Sequence, residues 1–148
     1  VDNVVPEKFI PDRNVTGYGY LRNPSSNLCV DLVGQNEFDR GYLKAGLYSC
    51  QGGHSGAQIF SYARTKQIRR EWGCLTATSG SEHVKFLTCA PHPQDNVAQL
   101  WEHTKDGEIK NVQLGLCMDV QGLKNMDTLR VIKCQHTPEQ LWSFENYL

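Results

Sequence analysis

Six cysteines at positions 29, 50, 74, 89, 117 and 134 could hold a metal or close disulfides. Zinc sites favour ligands in close pairs such as Cys-x-x-Cys. No two cysteines here lie closer than 15 residues in sequence. The stretch Cys134-Gln135-His136 is too tight to stand alone as a site. His54, His83, His92, His103 and His136 are scattered, show no ligand spacing, and read as surface or loop residues. No metal set is assigned on these grounds. The cysteines read as disulfides, which implies an oxidising compartment. Asn14-Val15-Thr16 is a legal N-glycosylation sequon and agrees with that setting.

Two carboxylates follow cysteines at one offset, Asp31 in "CVD" and Asp119 in "CMD". Repeated chemistry at a repeated offset asks which elements carry it. The chain of 148 residues, with a formal net charge of −1, is long enough for one domain with a proper core. So small a net charge gives no field to steer it toward nucleic acid or an anionic membrane. No apolar run approaches the roughly 20 residues that span a bilayer. No signal peptide precedes Val1, so the chain reads as a mature or excised piece with any targeting segment outside it.

Three stretches, "AQIFSY", "AQLWEH" and "EQLWSF", each contain Gln, one spacer and a large aromatic. Gln58, Gln99 and Gln140 are 41 residues apart. Each is preceded by two cysteines: a strand with Cys and short alternating residues, a polar turn, then a second strand ending in Cys. "LYSC", "VKFLTC" and "LRVIKC" alternate with a period near two, as half-buried strands do. Asp106-Gly107 is a hairpin signal. No window has helical periodicity of useful length. The basic run "RTKQIRR", 64 to 70, reads as a solvated hairpin face.

Three four-strand units of about forty residues cannot each bury a hydrophobic face alone. Three copies about a pseudo-threefold axis can, and closure removes exposed strand edges. The expected fold is all-β, a β-trefoil of three repeats at about 17–62, 63–104 and 105–148. Residues 1–16, with Pro6 and Pro11, form a lead-in. Phe60, Trp101 and Trp142 are expected as symmetry mates in the common core. Gln58, Gln99 and Gln140 are expected to satisfy backbone groups at the loop that each aromatic closes. The same register suggests the pairs Cys29–Cys50, Cys74–Cys89 and Cys117–Cys134. Threefold symmetry also places Asp31 and Asp119 far apart, whereas a glycosidase pair needs about 5–10 Å. No catalytic residue is assigned.

Cys-x-Asp, a strand ending in Cys, and Gln-x-Trp, repeated in register over about residues 17 to 148, resemble the ricin-type lectin trefoil. "DNVVPEKFIPD" and "LRNPSSNLCVDLVG" further resemble the junction and lectin-domain opening of polypeptide N-acetylgalactosaminyltransferases. That resemblance implies a lectin domain of a type II Golgi membrane enzyme, working in the Golgi lumen. It implies binding of GalNAc on partly glycosylated mucin-type peptides, and a catalytic domain as intramolecular partner. The parent would use Mn2+ with UDP-GalNAc. This fragment would need no cofactor, transfer no sugar, and touch neither nucleic acid nor membrane directly.

A galacto-configured sugar offers an apolar face and a fan of hydroxyls, so a site needs an aromatic platform and a carboxylate, usually with an amide. In the resembled family these come from the Asp of Cys-x-Asp, an aromatic two residues before the second Cys, and an Asn just before the Gln. The first repeat matches with Asp31 and Tyr48, and Gln51 follows Cys50 at a hydrogen-bonding position. Its Asn position is Ala57, for which His54 or Gln51 could compensate. The second repeat has Thr76 and Leu87 and reads as inactive. The third keeps Asp119 but has Ile132 and Glu139, so Asp119 reads first as structural. The alternative function is a trefoil that binds protein and no sugar.

Overall fold

The structure, a computed structural model, describes residues 15–32 and 43–146. The sequon asparagine, Asn14, and most of the lead-in lie outside these. In chain order the strands are β1 (Val15–Asn23), β2 (Leu28–Asp31), β3 (Leu43–Lys44), β4 (Gly46–Ser49) and β5 (Phe60–Ala63). They continue as β6 (Ile68–Arg70), β7 (Gly73–Thr76), β8 (Lys85–Thr88) and β9 (Trp101–His103). The last are β10 (Ile109–Asn111), β11 (Leu116–Asp119), β12 (Arg130–Lys133) and β13 (Ser143–Asn146). Single 3-10 turns are the only helical pieces among the described residues.

Six strands form a barrel. β1 pairs with β13 and with β5, β5 with β6, and β9 with β10, all antiparallel. Two narrower seams complete the circuit. Gln67 bridges Leu100 between β6 and β9, and the Trp142 amide donates to the Gly107 carbonyl between β13 and β10. The hairpins β2–β4, β7–β8 and β11–β12 form the cap. They meet in a ring of backbone hydrogen bonds: Ala45 N–H to Val84, Val84 to Leu129, and Leu129 back to Ala45, at 2.9–3.0 Å. Each member lies five residues before its repeat's second cysteine, and all three are fully buried. The chain is a β-trefoil.

The alternation of each strand explains which side chains go in. Leu47, Phe86 and Val131 point to the core from matching places, as do Val30, Leu75 and Met118. Phe60, Trp101 and Trp142 are buried together with them. Trp101 Nε1 donates to Leu75 O and Trp142 Nε1 to Met118 O, so burying each indole leaves no N–H unpaired. Cys29–Cys50, Cys74–Cys89 and Cys117–Cys134 are bonded, each with Cα atoms 5.0 Å apart.

Each buried glutamine is a clamp about the second cysteine of its repeat. Gln58 accepts from the Gln51 N–H and donates to Ser49 O and Asp31 Oδ2, all at 3.0 Å. Gln99 does the same with Ala90, Thr88 and Thr76. Gln140 repeats it with Gln135, Lys133 and Asp119. The amide therefore also holds the residue two after the first cysteine. Replacing Gln140 with Leu should lower stability by at least about 1–3 kcal/mol, the cost of one stranded polar group. A urea titration under oxidising conditions checks this; the midpoint should fall with the m-value unchanged.

Candidate functional site

Asp31 ends β2, directly opposite Gly46 of β4. It is almost buried, with one carboxylate oxygen taken by Gln58. Because Gly46 has no side chain, no β4 group lies across from the carboxylate. Tyr48 stands two residues along β4, opposite Cys29. Asp31 and Tyr48 thus share a face as diagonal cross-strand neighbours, whose backbones lie about 7–8 Å apart. Tyr48 is 37% exposed, a large ring left in solvent. Together they make a shelf.

The loop after Cys50 borders it. Gln51 is exposed, and its side-chain amide donates to Ser49 O at 2.8 Å. His54 is also exposed, and its backbone N–H closes a turn onto Gln51 O. Gly52 and Gly53, at φ of 63° and 87°, supply the left-handed backbone that this turn needs. Ala57 contributes no polar side chain; its carbonyl accepts from Leu32 N–H.

Arg70 joins the site from the second repeat. Its guanidinium donates to Gly56 O, in the 3-10 turn Gly56–Gln58 that leads to the clamp. The equivalent positions are Asn23 and Asn111, which donate to carbonyls of the Pro138–Gln140 and Val97–Gln99 regions. Of the three, only the one that reaches the first repeat's loop is a cation. The run 64–70 is therefore no uniform solvated face: Gln67 and Ile68 are buried and Arg70 is half-buried. Burial raises the Asp31 carboxyl above its ordinary value of 3.8, opposed by the Gln58 hydrogen bond and the Arg70 charge.

The third repeat surrounds the same position differently. Asp119 is fully buried. Its Oδ1 accepts from Gln121 N–H at 2.7 Å and from Arg130 Nη2 at 3.0 Å, while Gln140 occupies Oδ2. Arg130 is the residue opposite, in the place of Gly46. In the second repeat Thr76 donates to Cys74 O and accepts from Gln99, with Lys85 opposite. The residue facing this position, four before each second cysteine, is thus Gly46, Lys85 or Arg130, a difference that sequence reasoning missed because it shows only with the hairpin register.

Another group was hidden by sequence distance. Asp106, Glu108 and His136 come together, with ligand-type atoms all within 4.8 Å of one another. Glu108 also lies near Cys117 and Cys134, but those sulfurs are bonded to each other and offer no thiolate.

Among the described residues, the first repeat alone has no Lys or Arg facing the position two after its first cysteine. Residues 17–142 match the ricin-type β-trefoil lectin domain, and the chain belongs to that family. It is 32% identical over 147 residues to a probable N-acetylgalactosaminyltransferase 9 of Caenorhabditis elegans, covering 97% of this chain. The chain spans 24% of that relative's length. Among solved structures, GalNAc-T7 with UDP, GalNAc and Mn2+ superposes with a TM-score of 0.74 at 20% identity, covering 94% of this chain and 24% of that one. The C-half of the earthworm R-type lectin in complex with GalNAc superposes at 0.69 and 15% identity, covering 87% of this chain and 98% of that one. At such identities the two structures share the fold.

The raised Asp31 carboxyl has a consequence for stability. A folded state that holds the proton more tightly than the unfolded chain loses stability as pH rises through that window. Asp31→Asn, neutral throughout, should match wild type below pH 3.8 and become the more stable protein as pH rises toward neutrality. Denaturation midpoints measured across that range check the sign.

Proposed function

We propose that this lectin domain binds GalNAc through its first repeat. The observation that carries the reading is the bare Gly46 opposite Asp31, set against Arg130 locked onto Asp119. A sugar ring stacks on Tyr48 while adjacent hydroxyls donate to the oxygen of Asp31 that Gln58 leaves free. Gln51 and His54 border the shelf and take the part of the missing amide. Arg70 balances the Asp31 charge while the carboxylate is being desolvated by a ligand.

The domain belongs to a polypeptide N-acetylgalactosaminyltransferase of the Golgi lumen, where it directs the enzyme to partly glycosylated peptides. Residues 1–16 lead in from the catalytic domain, which uses Mn2+ and UDP-GalNAc. The lectin site needs no cofactor. A shallow shelf binds weakly, around millimolar. Tethering to a catalytic domain that holds the same peptide turns that weak affinity into a high effective concentration. Similarity to N-acetylgalactosaminyltransferases and to a GalNAc-bound lectin fold supports the choice of sugar.

NMR titration with a GalNAc-glycopeptide tests the site. Asp31→Asn and Gly46→Arg should each abolish binding in a folded chain. Asp119→Asn should leave it within about twofold. Binding retained in Asp31→Asn and lost in Asp119→Asn moves the site to the third repeat. A trefoil that binds protein alone, the reading favoured by Ala57, predicts that the sugar shifts no resonance of the shelf in wild type or in any variant.

The lead-in makes one more expectation. Made in a secretory host, the chain should carry a glycan at Asn14, seen as a mass shift that Asn14→Gln removes.

A further inference from the structure

The third repeat contains a cluster that sugar binding does not use. Asp106 lies in the β9–β10 hairpin, Glu108 immediately before β10, and His136 in the loop after β12. Glu108 is the decisive member. It is 4% exposed, and its Oε2 is buried and makes no hydrogen bond. His136 Nδ1 nevertheless lies 3.2 Å from that oxygen. A carboxylate oxygen removed from water without a donor is strongly disfavoured unless a cation compensates it. Two ligands of one tetrahedral ion, with bonds of roughly 2.0–2.1 Å, sit about 3.3 Å apart without sharing a proton. The observed separation fits that edge.

The symmetry of the fold supplies the contrast. The place of Glu108 in the preceding repeat is held by Gln67, 41 residues earlier, which is 2% exposed and neutral. Gln67 Oε1 accepts from Thr65 Oγ1 and its Nε2 has no hydrogen-bond partner, so the fold accepts an amide here and what sets Glu108 apart is its charge. Among the described residues, the third repeat alone combines a buried charge with an imidazole and a second carboxylate. Asp106 and His136 are both exposed, so their side chains can close on an ion without moving the core.

We propose that Asp106, Glu108 and His136 form a divalent-cation site that ties the β9–β10 hairpin to the loop after Cys134. One imidazole and two carboxylates suit Zn2+, with water as the fourth ligand; Ca2+ and Mg2+ prefer all-oxygen sets. The bound ion pins the hairpin whose Gly107 carbonyl accepts from the Trp142 amide, and so closes the seam between β10 and β13.

The test uses the whole tag-free chain, stripped with a chelator and titrated with ZnCl2 by calorimetry and thermal melting. One ion should bind per chain, and the melting temperature should climb with Zn2+ concentration. Ca2+ and Mg2+ should do neither. Glu108→Gln should fold, as Gln67 shows for its place, yet lose more than the roughly 10–100-fold in Zn2+ affinity that an outer partner costs. His136→Gln should lose as much, and His92→Gln nothing. On Zn2+ addition to wild type, the His136 ring resonances should shift. No Zn2+ response in wild type overturns the site and leaves His136 and Glu108 as a simple ion pair. An equal response in wild type and both variants also overturns it, because exposed histidines would then be the binders.

Discussion

Everything in this trefoil hangs on three glutamine side chains that cannot be left unpaired. Each amide is buried beneath the loop that precedes a core aromatic, and its hydrogen bonds reach both sides of the second cysteine. The third partner is the side chain two residues after the first cysteine. One amide therefore fixes the hairpin ends, the disulfide between them and the carboxylate that chemistry would use. The interior enforces this because a half-satisfied polar network is worse than an apolar one. Disulfide and clamp act on the same two strands, so the cap hairpins are held twice over. The aromatic two residues after each glutamine then enters the core from a backbone that is already set.

Function enters where threefold symmetry is broken. Asp31 and Asp119 have the same clamp, the same offset from cysteine and the same strand position. They differ in what faces them. Arg130 donates to Asp119 Oδ1, which also accepts from Gln121 N–H. Gly46 presents no side chain there, and Arg70 supplies a positive charge from the neighbouring repeat instead. The Arg70 guanidinium, with its own hydrogen bond going to a backbone carbonyl, offsets the Asp31 charge. The cost is visible in the raised carboxyl of Asp31, whose burial outweighs both stabilising neighbours. Among the described residues, Gln58 is the one hydrogen-bond donor to Asp31, whereas Asp119 has three.

The fold was legible because its signals are periodic. Gln-x-aromatic recurs at a constant interval, and two-residue alternation marks the strands between. Much of the candidate site was legible for the same reason, since Asp31 and Tyr48 lie at fixed offsets from a bonded cysteine pair. The deciding residues were harder to read. Gly46 and Arg130 face the two aspartates through strand register, which becomes plain only once the hairpin pairing is known. Arg70 belongs to another repeat and substitutes for an asparagine whose role at positions 23 and 111 is itself a packing role. In sequence it looked like one more charge in a basic run.

Asp106, Glu108 and His136 carry that lesson furthest. Spacing rules for metal ligands work when the ligands share a hairpin or a helix, because local geometry then converts sequence offset into distance. In a trefoil, the loops at one end of a repeat come from segments about 30 residues apart, and offset no longer reports proximity. What remains diagnostic is chemical mismatch. Gln67 and Glu108 occupy equivalent buried places in adjacent repeats, so packing alone does not demand the charge. A neutral amide fills the place at one of them, with its Nε2 also left without a hydrogen-bond partner. Retaining a carboxylate at the other, with its oxygen turned toward an imidazole and undonated, asks for a cation that the backbone cannot provide.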